Sequence, residues 1–321
     1  MRWFRPGSMA VEYSENETCY RFLVRLVLLA LAALVASACT QTALAKPPPG
    51  TIAVVATTTQ MQDLVANVGG SRVHVVAILR PNVDPHDFEP TPASVATLAR
   101  ARLVVESGAG LDAWADQLVQ AAGSGAPVFD AAAGLPLRGD DPHWWGDPVL
   151  VERVAGALAR RLGQVDPGHR AAYARNAAHY IRQLALLDAE NRSLIATVPA
   201  ADRKLVTNHD AFGYLAARYG IRVVGSVFPA LSSAAQPSAQ DVARLIERIR
   251  AQHVRAMFTE SSLDPALERE IASEAGVRVY ADLYGDSLGP AGSPGATYIG
   301  MERWNVRAMV AGFLGQPPPK A

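Results

Sequence analysis

Residues 168–195 read GHRAAYARNAAHYIRQLALLDAENRSLI, with no glycine or proline after Gly168. Nothing in this run interrupts a helix, since the two residue types that most disfavour helical backbone are absent from it. It is much longer than any other helical stretch in the chain. On either side the pattern is one of short alternating elements. Toward the N-terminus, TIAVVATT (51–58) reads as a buried strand, QMQDLVANVGG (60–70) as a helix closed by glycine, and RVHVVAIL (72–79) as a second strand. Thr91 then fits an N-cap with Pro92 at the first helical position of ASVATLARA (93–101). Strand RLVVES (102–107), helix LDAWADQLVQAAG (111–123) and strand PVFDAA (127–132) follow.

Beyond the long helix a second series begins at RKLVTNHDAF (203–212). It continues as helix AFGYLAARYG, strand RVVGSVF, helix SAQDVARLIERIRAQ, strand RAMFTE, helix PALEREIASEAG, strand RVYADL and a last helix near MERWNVRAMVAGFLG. Alternating strands and helices imply parallel sheets with helices on both faces. The architecture expected is therefore α/β, two Rossmann-like (β/α) lobes at 51–166 and 197–321 joined by one long, rigid helix at 167–196. A helical hinge is stiffer than paired strands, so large domain closure is disfavoured.

The N-terminus reads as an export signal, 1–38. Arg2, Arg5, Arg21 and Arg25 precede the apolar run LVLLALAALVASA (26–38), whose 13 residues fall short of the roughly 20 needed to span a bilayer. ASAC (36–39) resembles a bacterial lipobox, which would make Cys39 a lipidated membrane tether, with 39–50 as the flexible or lipidated spacer ending in KPPPG. Cleavage after ALA (43–45) is the competing reading, giving a periplasmic protein without a lipid. The long stretch ahead of the apolar run leaves Met9 as an alternative start. Cys19 and Cys39 are the two cysteines of the chain, so the mature chain has no pair to bridge and any metal site must use nitrogen and oxygen donors. Thirty basic residues balance thirty acidic ones, so there is no basic field for nucleic acid.

The histidines carry the chemistry. His74 falls in a strand, His169 and His179 on the long helix and His253 after a helix, all ordinary packing or surface positions. His86 in PHDFEP, His143 in DPHWWGDP and His209 in TNHDAF instead lie at or after strand ends, toward the sheet edge where ligands of open α/β sheets bind. Asp282 in VYADLYGDSLG ends a second-lobe strand in the same way. Three imidazoles and one carboxylate facing an interlobe cleft would form a closed, four-coordinate set for a divalent transition metal. Glu89 and Asp147 suit orienting or helix-capping work, Trp144 and Trp145 suit walling the cleft, and Glu260 suits an interlobe contact behind the ligands.

These motifs resemble those of the metal-binding solute receptors of bacterial ABC transporters, the zinc/manganese group called cluster A-I or cluster 9. Pro85–Pro90 matches the family's Pro-His-(Glu/Asp)-(Tyr/Phe)-Glu-Pro in full. Asp141–Pro148 matches Asn-Pro-His-x-Trp-x-Asp-Pro with Asp141 in place of Asn, and Asn208–Tyr214 matches Ser-His-Asp-Ala-Phe-x-Tyr with Asn208 in place of Ser. Asp282–Asp286 corresponds to a strand-end Asp before Gly-Asp. The resemblance covers essentially the whole mature chain. It implies two lobes on a backbone helix, metal-ligand roles for His86, His143, His209 and Asp282, and a monomer that passes its ion to a membrane permease driven by a cytoplasmic ATPase. Relatives of manganese type place Glu where His209 stands, which points to zinc, with manganese the alternative. The His- and acid-rich loop of many zinc-specific members is missing from LPLRGDDPHWW. A surface adhesin of the same fold is a further reading. A mononuclear zinc hydrolase is the minor one, disfavoured by the absence of H-E-x-x-H, a Gly-x-Ser-x-Gly elbow or a phosphate loop. The chain is therefore not expected to be an enzyme.

Overall fold

The structure is a computed structural model that describes residues 47–228 and 237–320, with the backbone but not the side chains of Ala281 and Asp282. The export signal and the lipid or cleavage site read from the sequence lie outside the described residues. No helix among the described residues is long and apolar enough to cross a membrane.

The first lobe is one parallel four-stranded sheet, order β2-β1-β3-β4, from β1 (Ile52–Ala56), β2 (Val73–Ala77), β3 (Leu103–Glu106) and β4 (Val128–Asp130). β1 pairs with β2 on one side and with β3 on the other, Val54 facing both Val75 and Leu103. The strand order thus reverses about β1, and the carboxyl ends of β1 and β3 border the crevice where such folds bind ligands. Helices α1 (Thr59–Gly69), α2 (Pro92–Leu98) and α3 (Trp114–Ala122) connect the strands. Thr91 caps α2 ahead of Pro92, as the sequence predicts, and completes a capping box with Ser94, while Thr58 caps α1 through the Met61 amide.

One element goes beyond the sequence reading. Helix α4 (Pro148–Val165) follows the His143 segment directly, with Asp147 as its N-cap and Pro148 at its first position. It packs lengthwise on α5 (Arg170–Ala196), the long helix. At 27 residues, α5 is ~40 Å long. Its buried residues Tyr173, Ala177, Tyr180, Leu184, Leu187, Asn191 and Ile195 recur every three or four positions and form one face.

The second lobe holds two parallel strand pairs, β5 (Lys204–Thr207) with β6 (Arg222–Ser226) and β7 (Ala256–Glu260) with β8 (Arg278–Leu283). β5 and β7 lie side by side. Helices α6 (Gly213–Tyr219), α7 (Ala239–Ala251), α8 (Ala266–Ala275) and α9 (Tyr298–Phe313) complete it. The helix α5 is not the sole bridge between lobes. Tyr298 and Met301 of α9 pack into the first lobe's core, whereas Val306, Met309 and Phe313 of the same helix belong to the second. Two helices thus run from one core to the other. Hinge-bending would have to break packed apolar contacts along both, which makes the frame stiff.

Candidate metal centre

Each functional histidine is placed by a short local device. The His86 loop, between β2 and α2, turns at Pro85, where the Asp84 carboxylate accepts the His86 amide at 2.8 Å. Trp114 of α3 donates its indole N–H to the Pro85 carbonyl at 3.2 Å and stacks at a tilt on Phe88, centroids 4.5 Å apart. His143 precedes a 3₁₀ turn at Trp144–Gly146, with both tryptophans buried. Trp144 donates to the Ser107 carbonyl and Trp145 to that of Gly285, so the turn touches both lobes. His209 follows β5, where the Thr207 hydroxyl donates to the His209 carbonyl at 2.7 Å.

The three imidazoles converge. Their ring centroids are 5.4 to 5.8 Å apart, and the planes meet at 59° to 82°, so the rings radiate from a common point instead of stacking. The carboxylate at that point belongs to Asp286. His86 Nε2 lies 3.2 Å from Asp286 Oδ2, His143 Nε2 lies 3.2 Å from Oδ1, and His209 Nε2 lies 3.0 Å from Oδ2. One donor atom from each residue lies within 4.8 Å of all the others. A tetrahedron of ligands ~2.05 Å from a zinc-sized ion has edges of ~3.3 Å, close to the three nitrogen–oxygen separations at Asp286.

The contacts are short but misdirected for hydrogen bonding. His86 Nε2, His143 Nε2, His209 Nε2 and Asp286 Oδ1 are all buried without a hydrogen-bond partner. Buried polar atoms are nearly always paired, because leaving one unpaired costs roughly 1–3 kcal/mol. Four at one point, all electron-pair donors, fit a cation. The tautomer agrees, because His143 Nδ1 is hydrogen-bonded to Asp141 Oδ1 at 2.7 Å, which leaves Nε2 free to ligate.

Electrostatics describe the same arrangement. Burial disfavours the charged form of His143, but the Asp286 charge and the Asp141 hydrogen bond outweigh it and push the pKa up to about 9. For His209 burial is likewise overcome, by Glu260 and Asp286, and the pKa stands well above that of ordinary imidazole. Asp286 is driven the other way. Burial alone would raise it, yet His209 and His143 hold it well below the usual carboxylate range. Burial raises Glu260, against the pull of His209, whose Nδ1 is 2.6 Å from Glu260 Oε1. A single ion would take over the charge compensation that protons supply without it.

The structure brings His86, His143 and His209 together, as the sequence predicts, around the carboxylate of Asp286. Asp286 stands four residues beyond Asp282, the carboxylate expected from the sequence, whose side chain lies outside the described residues. Asp282 itself is within β8. The strand runs to Leu283, so the chain leaves the sheet only after Asp282 and turns inward at Gly285. A Cβ on Gly285 would sit 1.9 Å from Glu260 Oε2, so a larger residue there would displace the Glu260 carboxylate behind His209. The Gly285–Asp286 pair was visible in the sequence; the end of the strand was not. Among the outer residues, Glu260 backs His209, Asp147 caps α4, and Glu89 is exposed on the loop surface.

Comparison with known proteins agrees. The family model for the zinc-uptake complex component A, periplasmic (ZnuA), matches residues 54–312. The iron-binding protein YfeA of Yersinia pestis is 31% identical over 273 residues, covering 81% of this chain and 86% of the relative. The manganese-binding lipoprotein MntA of Bacillus subtilis is 31% identical over 270 residues, covering 80% and 88%. Among solved structures, the periplasmic zinc-binding protein TroA from Treponema pallidum superposes with a TM-score of 0.77 at 28% identity, over 82% of this chain and 99% of that one. The laminin-binding protein Lmb of Streptococcus agalactiae, described as a bifunctional adhesin and metal transporter, gives 0.73 at 28% identity, over 82% and 99%. With its two α/β lobes, backbone helix and interlobe site for a divalent metal, the chain belongs to the ZnuA family of extracytoplasmic solute-binding receptors of ABC transporters, a family of carriers and not of enzymes.

Proposed function

We infer that this chain captures one divalent transition-metal ion outside the cytoplasmic membrane, through His86, His143, His209 and Asp286, and hands it to an ABC permease powered by a cytoplasmic ATPase. The observation that carries the assignment is the convergence of three unpaired Nε2 atoms on one buried carboxylate. Segments 51–166 and 197–321 serve as the two metal-binding lobes, with 167–196 as the linking helix and Cys39 as the point of a lipid tether.

Donor chemistry favours zinc as the cargo. Three neutral imidazoles with one carboxylate are softer than an oxygen-rich set, and the Irving–Williams order places zinc above manganese at such a site. Manganese is the second reading, supported by the printed function of MntA, a relative at 31% identity. Elemental analysis of protein purified without added metal, followed by competition calorimetry, separates the two. The expected result is one ion per chain, with zinc displacing manganese. If manganese holds against equimolar zinc, the second reading replaces the first and the receptor assignment stands. An adhesive role, by analogy with Lmb, predicts lost host-cell attachment with unaffected growth on deletion; the transport role predicts failed growth under metal limitation.

A further inference from the structure

The four donors are not equally enclosed. The side chain of His86 is 9% exposed, against 0% for His143, 0% for His209 and 2% for Asp286. His86 is therefore the donor nearest solvent, and an ion leaving on that side would need the loop that carries it to move. Trp114 holds the middle of that loop within its own lobe. The loop's leading end is held by the other lobe, through Asn82.

Asn82 has φ 61°, in the left-handed region that asparagine tolerates better than most residues other than glycine. In this conformation its backbone N–H donates to Ser287 Oγ at 2.8 Å, and its side-chain Oδ1 accepts from Ser261 Oγ at 3.2 Å. Ser287 follows Asp286 in the chain. Ser261 follows Glu260, the carboxylate behind His209. One residue of the His86 loop thus ties to two second-lobe loops, the one that carries Asp286 and the one that follows Glu260 behind His209.

We propose that Asn82 is a latch that sets how long the ion stays bound: a positioning residue that touches no metal but keeps the His86 loop closed over the site. The inference rests on the receptor reading. Both bonds cross between lobes at the partly exposed rim, so they contribute to closure of the loop and little to the stability of either core. Losing one hydrogen bond of ordinary strength from the closed state alone accelerates opening about three- to ten-fold.

The test measures release of zinc from the loaded full chain into excess chelator by stopped flow, with the metal content of the wild type measured first. Asn82→Gly keeps the left-handed backbone and its bond to Ser287 but loses the bond to Ser261. Ser261→Ala loses that bond from the other side. Each should speed release about three- to ten-fold, and the double variant no further, with unchanged melting of the metal-free protein. Asn82→Asp retains an acceptor oxygen and a residue suited to the left-handed region, and should release within about twofold of wild type. Unchanged release rates, multiplicative effects in the double variant, or a parallel loss of metal-free stability would each overturn the latch while leaving the receptor in place. A wild-type chain that retains no ion would overturn both.

Discussion

His143 and His209 stand in the wall of the site, whereas His86 stands in its door. Each wall histidine has a carboxylate behind the nitrogen that faces away from the centre, Asp141 at 2.7 Å and Glu260 at 2.6 Å. No carboxylate among the described residues is seen to back His86 in this way, and its loop is held by Asp84, Trp114 and Asn82 among others. Outer carboxylates fix ring orientation and raise the basicity of a ligating imidazole. If the latch proposal holds, strength of binding and rate of exchange fall to different residues. Two donors are backed by carboxylates, and one sits on a loop without that support.

The largest effect should separate wall from door directly. Removing His209 leaves Glu260 and Asp286 as buried carboxylates with no imidazole between them, and breaking a buried charged arrangement costs about 3–5 kcal/mol, or some hundred- to several-thousand-fold in affinity. Water can reach the place of His86, and a three-ligand site completed by water still holds zinc. His86→Ala should therefore weaken binding less than His209→Ala in a chelator-competition titration; equal losses would erase the distinction. Next in size, Asp141→Asn and Glu260→Gln should each lower affinity about ten- to a hundred-fold. Wild-type affinity in both would mean that the outer carboxylates do not support the wall.

A third expectation concerns pH. In the metal-free protein the His143 pKa is raised from 6.5 to about 9, so its contribution to stability is fully present below pH 6.5 and is lost as pH rises through 9. His209, also raised, acts in the same direction. With metal bound the sign reverses, because the ion must displace those protons and binds more tightly as pH rises. Melting temperatures between pH 6.5 and 9 should thus fall in chelator and rise with metal, and parallel slopes would contradict the proton–metal exchange. The smallest effect is reserved for the door's own hinge. Trp114→Phe keeps a ring against Phe88 but removes the bond to Pro85, and should speed release only about two- to five-fold at nearly unchanged melting temperature.

Most of the frame was legible because each strand is a short apolar run closed by turn residues and each helix carries its own start or stop signal. Helix α4 was equally well marked, by Asp147 and Pro148 and by the apolar recurrence of Leu150, Val151, Val154, Ala155, Leu158 and Leu162. Its start merges with the His143 motif, which runs straight into it. The histidines were found because each lies in a turn-rich stretch after a strand. The place of Asp286 depends on where β8 ends, which pairing with β7 sets and local sequence does not. The tie from Asn82 to Ser261 and Ser287 joins residues 179 and 205 positions apart, and no local pattern announces it.

The four donors stand at positions 86, 143, 209 and 286, so no two are close in the chain. Zinc fingers can use the metal to nucleate folding because their ligands lie a few residues apart. Here the order is inverted: the site cannot exist until the last strand and the helix after it have docked, and a half-made chain offers an ion only scattered, weak contacts. Possession of a tightly held ion is therefore a certificate of complete assembly, and metal retention reports on the integrity of all three segments at once.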